Sequence, residues 1–253
     1  MIRTRVIPCL LLKGAGLVKT VKFQKPTYIG DPINAVRIFN EKECHELVFL
    51  DITATLEGRK PRMEMIADIA GECFMPFAYG GGISDLEDAR KILALGVEKI
   101  VVNSHAVENP AFITEAARLF GSQSVVVCID VKKNFWGKYE VFTQAGQKNA
   151  KKNPVQWAQE VMQLGAGEII VNSIDQDGTM QGYDLKLIQS ITAAVDIPVV
   201  ALGGAGSVQD LGRAVSEGGA AAVAAGSFFV YYGKHRAVLI SFPSDKELSQ
   251  VLP

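Results

Sequence analysis

Asp130 is the residue most suited to proton chemistry, and its natural counterpart is missing. It lies in VVVCIDVK (residues 125–132), near the end of an apolar run, where a carboxylate is a candidate general acid or base. The same frame recurs at VIPCLLLK (residues 6–13), with Cys9 matching Cys128 and Lys13 matching Lys132. Leu11 stands where Asp130 would be repeated. Two facing carboxylates divide acid and base roles when their environments push their pKa values apart. Leucine transfers no proton, so the chain keeps the frame of such a pair with one member.

Two further constellations carry chemistry. Glycines close two apolar runs at MPFAYGGG (with Gly81 and Gly82) and IPVVALGGAG (with Gly203 and Gly204), and the runs that follow end in Asn103–Ser104 and Gly226–Ser227. Glycine lets an anion approach backbone N–H groups, and a helix N-terminus behind it favours negative charge. Each half of the chain thus offers one phosphate cradle, and two cradles at one mouth suit an elongated ligand with a phosphate at each end. Asp177, Gly178 and Thr179 are read as extending the second. The competing reading is that these glycines only make tight turns. At the other ends of the runs stand Arg5, Glu46, Lys99 and Glu168, each four residues before Cys9, Leu50, Asn103 and Asn172. Residues four apart in a strand share a face. If that face is the inner one, two cations and two anions form a ring, which is a polar plug or a gate for a small polar molecule. Otherwise they are solvated charges at strand starts.

These residues need a frame that brings eight strand ends to one mouth. Apolar runs at 5–11, 46–52, 75–81, 99–104, 124–131, 168–174, 197–204 and 221–227 read as strands. Amphipathic stretches at 31–44, 62–73, 85–95, 108–120, 154–164, 184–195 and 207–217 read as helices, several framed by Asp or Ser caps. Continuous apolar strands alternating with helices predict a parallel sheet covered on its outside, and eight of them predict a closed (β/α)8 barrel in one domain over residues 1–253. DITATLEG (51–58) answers DQDGTMQG (175–182), and KIVVNS answers AVAAGS, so the barrel reads as a duplicated half-barrel. Extra sequence at 13–30 and 132–153, the second alternating like a hairpin, falls after strands 1 and 5. Both segments therefore belong at the C-terminal mouth, as active-site loops or as surface decoration.

Composition excludes several classes. A formal net charge of −1 gives no basis for nucleic acid or an anionic membrane as partner. Four cysteines without a C-x-x-C pair and three scattered histidines predict no metal site and reduced thiols. The short apolar run near the N-terminus ends at Lys13, which predicts neither a membrane span nor a signal peptide, and a cytoplasmic protein. No cofactor is expected.

From end to end the chain resembles the cyclase subunit of imidazole glycerol phosphate synthase (HisF), through RVIPCL, ELVFLDITA, GGGI, FGSQSVVVCIDVK, SIDQDGT, GYDL and IPVVALGGAG. The resemblance implies a barrel that pairs with a glutaminase subunit on its N-terminal face and receives ammonia through its interior. It implies that Arg5, Glu46, Lys99 and Glu168 are the entrance gate, that Lys19 is a functional lysine of the first loop, and that Asp130 is one of two catalytic aspartates. Leu11 departs from that pattern, as do Ala78, Tyr79, Asn172 and Leu202. The ends of the chain resemble a HisF-like branch tied to surface polysaccharide, which implies ammonia supply for acetamidino sugars together with a sugar amidotransferase. The alternatives are a working histidine-pathway cyclase, with Leu11 bypassed through Asp51, Cys9 or a water, a phosphosugar isomerase, and a non-catalytic scaffold.

Overall fold

The computed structural model describes residues 4–253. Eight parallel strands close on themselves: β1 (Arg5–Lys13), β2 (Leu47–Asp51), β3 (Phe77–Gly80), β4 (Lys99–Val102), β5 (Val125–Lys133), β6 (Glu168–Ser173), β7 (Val199–Leu202) and β8 (Ala222–Ala225). Closure is direct, since β1 pairs with both β2 and β8, with Cys9 beside Val48 and Arg5 beside Ala222. Helices lie between the strands, and the architecture is a (β/α)8 barrel.

Alternation along each strand sorts the residues into two cores. Val6, Leu10 and Leu12 of β1 face outward into the layer shared with the helices, where Phe39, Phe49 and Trp157 are also buried. Ile7 and Cys9 face inward and meet Val48, Ala78, Val101 and Ile170 in the barrel interior, with Leu11 and Leu50 packed at its upper edge. This inner register is what carries the charged residues at one end and the polar residues at the other.

The helices start where their caps dictate. The Asp31 side chain accepts from the Asn34 N–H, with Pro32 opening the helix Pro32–Glu41. Asp85, Asn153, Asp184 and Ser207 cap four others in the same way. Two one-turn helices, Ser104–Glu108 and Ser227–Val230, follow β4 and β8 directly. They are too short to display a helical period, so periodicity locates only the longer helix Ala111–Phe120.

The segment after β1, read from its sequence only as an extra strand-to-helix segment, is itself a hairpin. Its strands Gly16–Val21 and Gln24–Gly30 form a hairpin that prolongs the sheet, with Leu11 beside Val18 and Lys13 beside Gly16. The segment after β5 is the hairpin its alternation predicts, Tyr139–Thr143 running antiparallel to the end of β5 with Phe142 beside Asp130. Among the described residues no helix is long and apolar enough to cross a membrane, and all four cysteines are free thiols.

Candidate active site and charged ring

Each end of the barrel carries one cluster. At the N-terminal end, Arg5 and Lys99 each bridge Glu46 and Glu168. Lys99 Nζ lies 2.8 Å from one Glu46 oxygen and 3.0 Å from one Glu168 oxygen, and the Arg5 guanidinium donates to the other oxygen of each. The four residues close a ring of alternating charge. Both glutamates are buried. Each therefore needs its two cationic partners, because an uncompensated buried charge is costly. The inner face required by the spacing of these residues is the one they occupy.

At the C-terminal end one cavity collects the candidate mouth residues except Thr179. Its lining includes Leu11, Lys19, Asp130, Asp177 and Gly178, together with both glycine ends (Gly81, Gly82, Gly203, Gly204) and the residues after β4 and β8 (Asn103, Ser104, Gly226, Ser227). Asp130 is buried at the end of β5. One carboxylate oxygen accepts from Asn103 Nδ2 at 2.9 Å and the other from Asn172 Nδ2 at 3.0 Å. Burial pushes this carboxyl up to about 7, against the opposing hydrogen bonds from Asn172 and Cys128 and with a further upward push from Asp177. A group that titrates near neutral pH suits proton transfer.

Across from Asp130 the wall is apolar apart from Lys19. Leu11 lies beside Leu50, and Leu202 completes that side. Neither residue considered as a bypass for Leu11 is placed for it. The Asp51 carboxylate receives the Arg59 guanidinium at 2.6 and 2.8 Å and the Thr53 and Ala54 N–H groups at 3.1 Å, which turns it into the strut of its own loop. The Cys9 thiol is pushed up to about 11 by burial, offset in part by Lys19, so it stays protonated at neutral pH.

Lys19 comes from the first hairpin and is buried in the same cavity, its ammonium donating to the Cys9 carbonyl. Burial lowers its pKa. A Cβ at Gly226 would lie 2.3 Å from Lys19 Nζ, so glycine there makes room for the lysine head.

Three residues read as phosphate ligands have other partners. The Asp177 carboxylate accepts from Thr20 Oγ1 at 2.8 Å and from the Phe23 N–H at 3.2 Å, and its own N–H donates to the Ser173 carbonyl. It is the latch of the first hairpin rather than an extension of the cradle. Gly178 (φ +68°) serves the same contact, since a Cβ there would lie 2.1 Å from the Thr20 carbonyl oxygen. Thr179 turns its hydroxyl back to the Gln176 carbonyl at 2.8 Å. Asn103 is spent on Asp130, and the Ser104 hydroxyl accepts from the Gln144 N–H of the second hairpin at 2.9 Å while keeping its own proton to donate.

The role of Asn172 as a holder of Asp130 escapes the sequence reading, which registers it only as a departure. A signal was present. KIVVNS (99–104) and EIIVNS (168–173) are near-copies, and their strands β4 and β6 are the two neighbours of β5.

Comparison with known proteins agrees with this architecture. The family model described as histidine biosynthesis protein matches residues 5–236. A Pseudomonas aeruginosa protein provisionally named imidazole glycerol phosphate synthase subunit hisF2 is 54% identical, over 98% of this chain and 99% of its own length. A Leptospira borgpetersenii protein provisionally named imidazole glycerol phosphate synthase subunit HisF is 51% identical over the whole of both chains. The imidazole glycerol phosphate synthase subunit HisF of Alkaliphilus metalliredigens is 46% identical over 91% of this chain and 92% of its own. With a charged ring at one end, Asp130 at the other and this similarity along nearly its whole length, the chain belongs to the histidine biosynthesis protein family, in its HisF branch.

Proposed function

We propose that this chain is the barrel subunit of a glutamine-dependent amidotransferase. A glutaminase subunit docks on the N-terminal face over the Arg5–Glu46–Lys99–Glu168 ring, and ammonia enters there and is delivered to the C-terminal mouth. The nitrogen is used there on a phosphorylated acceptor, in acetamidino-sugar synthesis for surface polysaccharide, together with a sugar amidotransferase. The observation that carries this reading is the pairing of a complete ring with an incomplete acid–base pair, Leu11 standing across from Asp130. The glycine ends at Gly81–Gly82 and Gly203–Gly204 are the two positions for the acceptor's phosphates, Ser104 and Ser227 supplying hydroxyls.

A second reading, the cyclase subunit of histidine biosynthesis, is favoured by the names of the relatives and by the retention of Asp130 and Lys19 in one cavity. The two readings part at turnover. General acid–base catalysis contributes about 10²–10⁴-fold per positioned group. With the ribulosyl precursor of the histidine pathway and saturating ammonium, this protein is expected to turn over slower than a homologue with both aspartates by a factor of that order. Leu11→Asp is expected to recover little, because Asn172 and Leu202 also reshape the cavity. Comparable rates for the unmodified protein would establish the cyclase reading. Co-expression with a glutaminase subunit tests the docking face, where a stable complex buries on the order of 1,200–2,000 Å².

A further inference from the structure

Three hairpins crown the C-terminal end of the barrel. Two follow β1 and β5, and a third pairs Tyr231–Tyr232 with Ala237–Val238 after β8. They interlock. The Phe23 ring of the first packs on Gly146 (φ +78°) of the second, where a Cβ would lie 2.9 Å from it. Arg236 of the third donates to the Gly178 carbonyl at 2.7 Å, beside the latch that Asp177 makes with the first. Phe23, Ala145 and Gly178 also line the cavity, so this collar frames its mouth.

The collar differs from the rest of the chain in charge and in apolar exposure. Segments 13–30, 132–153 and 231–238 hold 12 of the 26 basic residues and one of the 27 acidic residues, Glu140. Several of these cations are used within the chain, as Lys133 is on Asp184, Lys148 on Glu108 and Lys152 on Glu160. Lys13, Lys22, Lys25, Lys132, Lys138 and Lys234 are exposed and make no ion pair among the described residues. Of the ten large hydrophobic side chains exposed among the described residues, six stand on the collar: Val21, Tyr28, Phe135, Trp136, Tyr232 and Val238. Exposed apolar residues scattered singly need no explanation, but a cluster of them marks an interaction surface.

Phe135 and Trp136 are 94% and 81% exposed, yet their turn is closed. Asn134 Oδ1 accepts from the Trp136 and Lys138 N–H groups at 2.9 and 3.0 Å, and the Gly137 N–H donates to the Asn134 carbonyl at 2.9 Å. The two rings meet edge to face, 5.5 Å between centroids. Rings held out in water by a preformed turn gain from burial and have little ordering left to lose on binding.

We propose that the collar is the docking surface for the enzyme that carries the nitrogen acceptor, which meets it with an acidic face and an apolar cleft for Phe135 and Trp136. The unpaired lysines steer the encounter and the two rings anchor it. Val21 and Val238 neither stack on a base nor meet a phosphate, which disfavours nucleic acid. An anionic bilayer would meet the same lysines and rings, but it would lie across the mouth and shut out the ligand of the cavity. A protein can bring its bound acceptor to that mouth. The inference rests on the amidotransferase reading and adds to it a second interface, at the end of the barrel away from the glutaminase.

The chain's two tryptophans supply the probe, since Trp136 is exposed and Trp157 is buried. The full chain labelled with 5-fluorotryptophan is titrated with the purified sugar amidotransferase of the same organism. Parallel titrations use the glutaminase subunit and vesicles of phosphatidylglycerol and phosphatidylcholine. The expected result is a saturable ¹⁹F shift of Trp136 with the amidotransferase, and none with the glutaminase or the vesicles. Trp136→Ala and Phe135→Ala, measured by calorimetry, are each expected to weaken the amidotransferase complex roughly thirtyfold. Lys138→Glu combined with Lys234→Glu is expected to slow association roughly tenfold. All of these variants should keep the melting temperature and the affinity for the glutaminase. A Trp136 shift with vesicles in place of the amidotransferase, or an amidotransferase complex that ignores the variants, would overturn the proposal. So would the absence of that complex while the glutaminase binds, which leaves the amidotransferase reading standing. Absence of both complexes overturns that reading as well.

Discussion

Asp130→Asn should make the protein more stable at alkaline pH and leave it nearly unchanged at acid pH. The carboxyl titrates at about 7 in the fold because burial disfavours its charge. In the unfolded chain it titrates near the ordinary value of about 3.9. Between those values the folded protein holds a proton that the unfolded chain has released. Stability therefore falls as pH rises, by about 1.4 kcal/mol per pH unit across the window. The full cost of ionising Asp130 in place is about 4 kcal/mol above pH 8, and little of it is felt below pH 4. Asparagine has the same shape and never ionises, and one flanking amide can rotate to meet its new NH₂ group. Lys19, Asp177, Cys9 and Cys128 surround the position in both proteins, so their own titrations cancel to first order in the comparison. Between pH 5 and pH 8 the variant's advantage is expected to grow by about 3 kcal/mol. For a chain of this size that is a widening of roughly 6–12 °C in melting temperature. Parallel thermal or urea denaturation of the two proteins across this range reads it directly. A difference that stays flat with pH would refute the argument, since it would mean that burial does not hold the Asp130 carboxyl up.

Other perturbations test the remaining parts. Lys99→Met leaves Glu46 and Glu168 to share Arg5, and because the two cations keep some solvent exposure the expected loss is about 2–3 kcal/mol, below the 3–5 of a fully buried pair; an unchanged denaturation midpoint would show that the ring is not buried in solution. Gly178→Ala forces a methyl toward the Thr20 carbonyl from a backbone with φ +68°; the first hairpin is expected to detach, with faster amide exchange over residues 16–30 and little change in the barrel strands. Soaking crystals in sulfate should place anions near Gly82 and Ser104 and near Gly204 and Ser227; clear density at neither position, with the loops ordered, removes the two-phosphate reading of the cavity.

The barrel is legible in the sequence because its signals are local. Eight apolar runs of strand length, Asp31–Pro32 and Asp85 at helix starts, and the four-residue offsets from Arg5 to Cys9 and from Glu168 to Asn172 all follow from a period of two along a strand and from capping chemistry. Less legible is what depends on partners distant in the chain. Nothing in GLVKTVKFQKPTYIG says that it folds down as a hairpin, because what holds it is the carboxylate of Asp177, more than 150 residues further on. Asn103 reads as a phosphate residue when KIVVNS is matched with AVAAGS. Matched with EIIVNS, it reads as one of two supports for Asp130. The choice between those pairings is decided by which strands neighbour β5, and that is a property of the closed barrel.

The inner face of β4 and β6 ties the two ends together. Lys99 and Asn103 stand four residues apart on one run, Glu168 and Asn172 on the other, so the ring and the Asp130 cluster are separated by roughly 13 Å at strand rise. Between them lie side chains such as Ile7, Ala78, Val101, Val126 and Ile170, a layer without a charged side chain among the described residues. Such a layer penalises an ammonium ion heavily and neutral ammonia little, because the cost of leaving water is dominated by charge. On the proposed function nitrogen therefore sheds its proton below this layer and regains one above it. The residue that meets it there is Asp130, whose carboxyl titrates at about 7 and so still holds a proton in part of the population at neutral pH. Once that proton has passed, the ammonium and the carboxylate stabilise each other. Leu11 has no place in this sequence of events. A second aspartate there would add a competing negative charge across the cavity and draw the cation from the β5 wall, so the leucine that removes a proton-transfer group also keeps the nitrogen at one position.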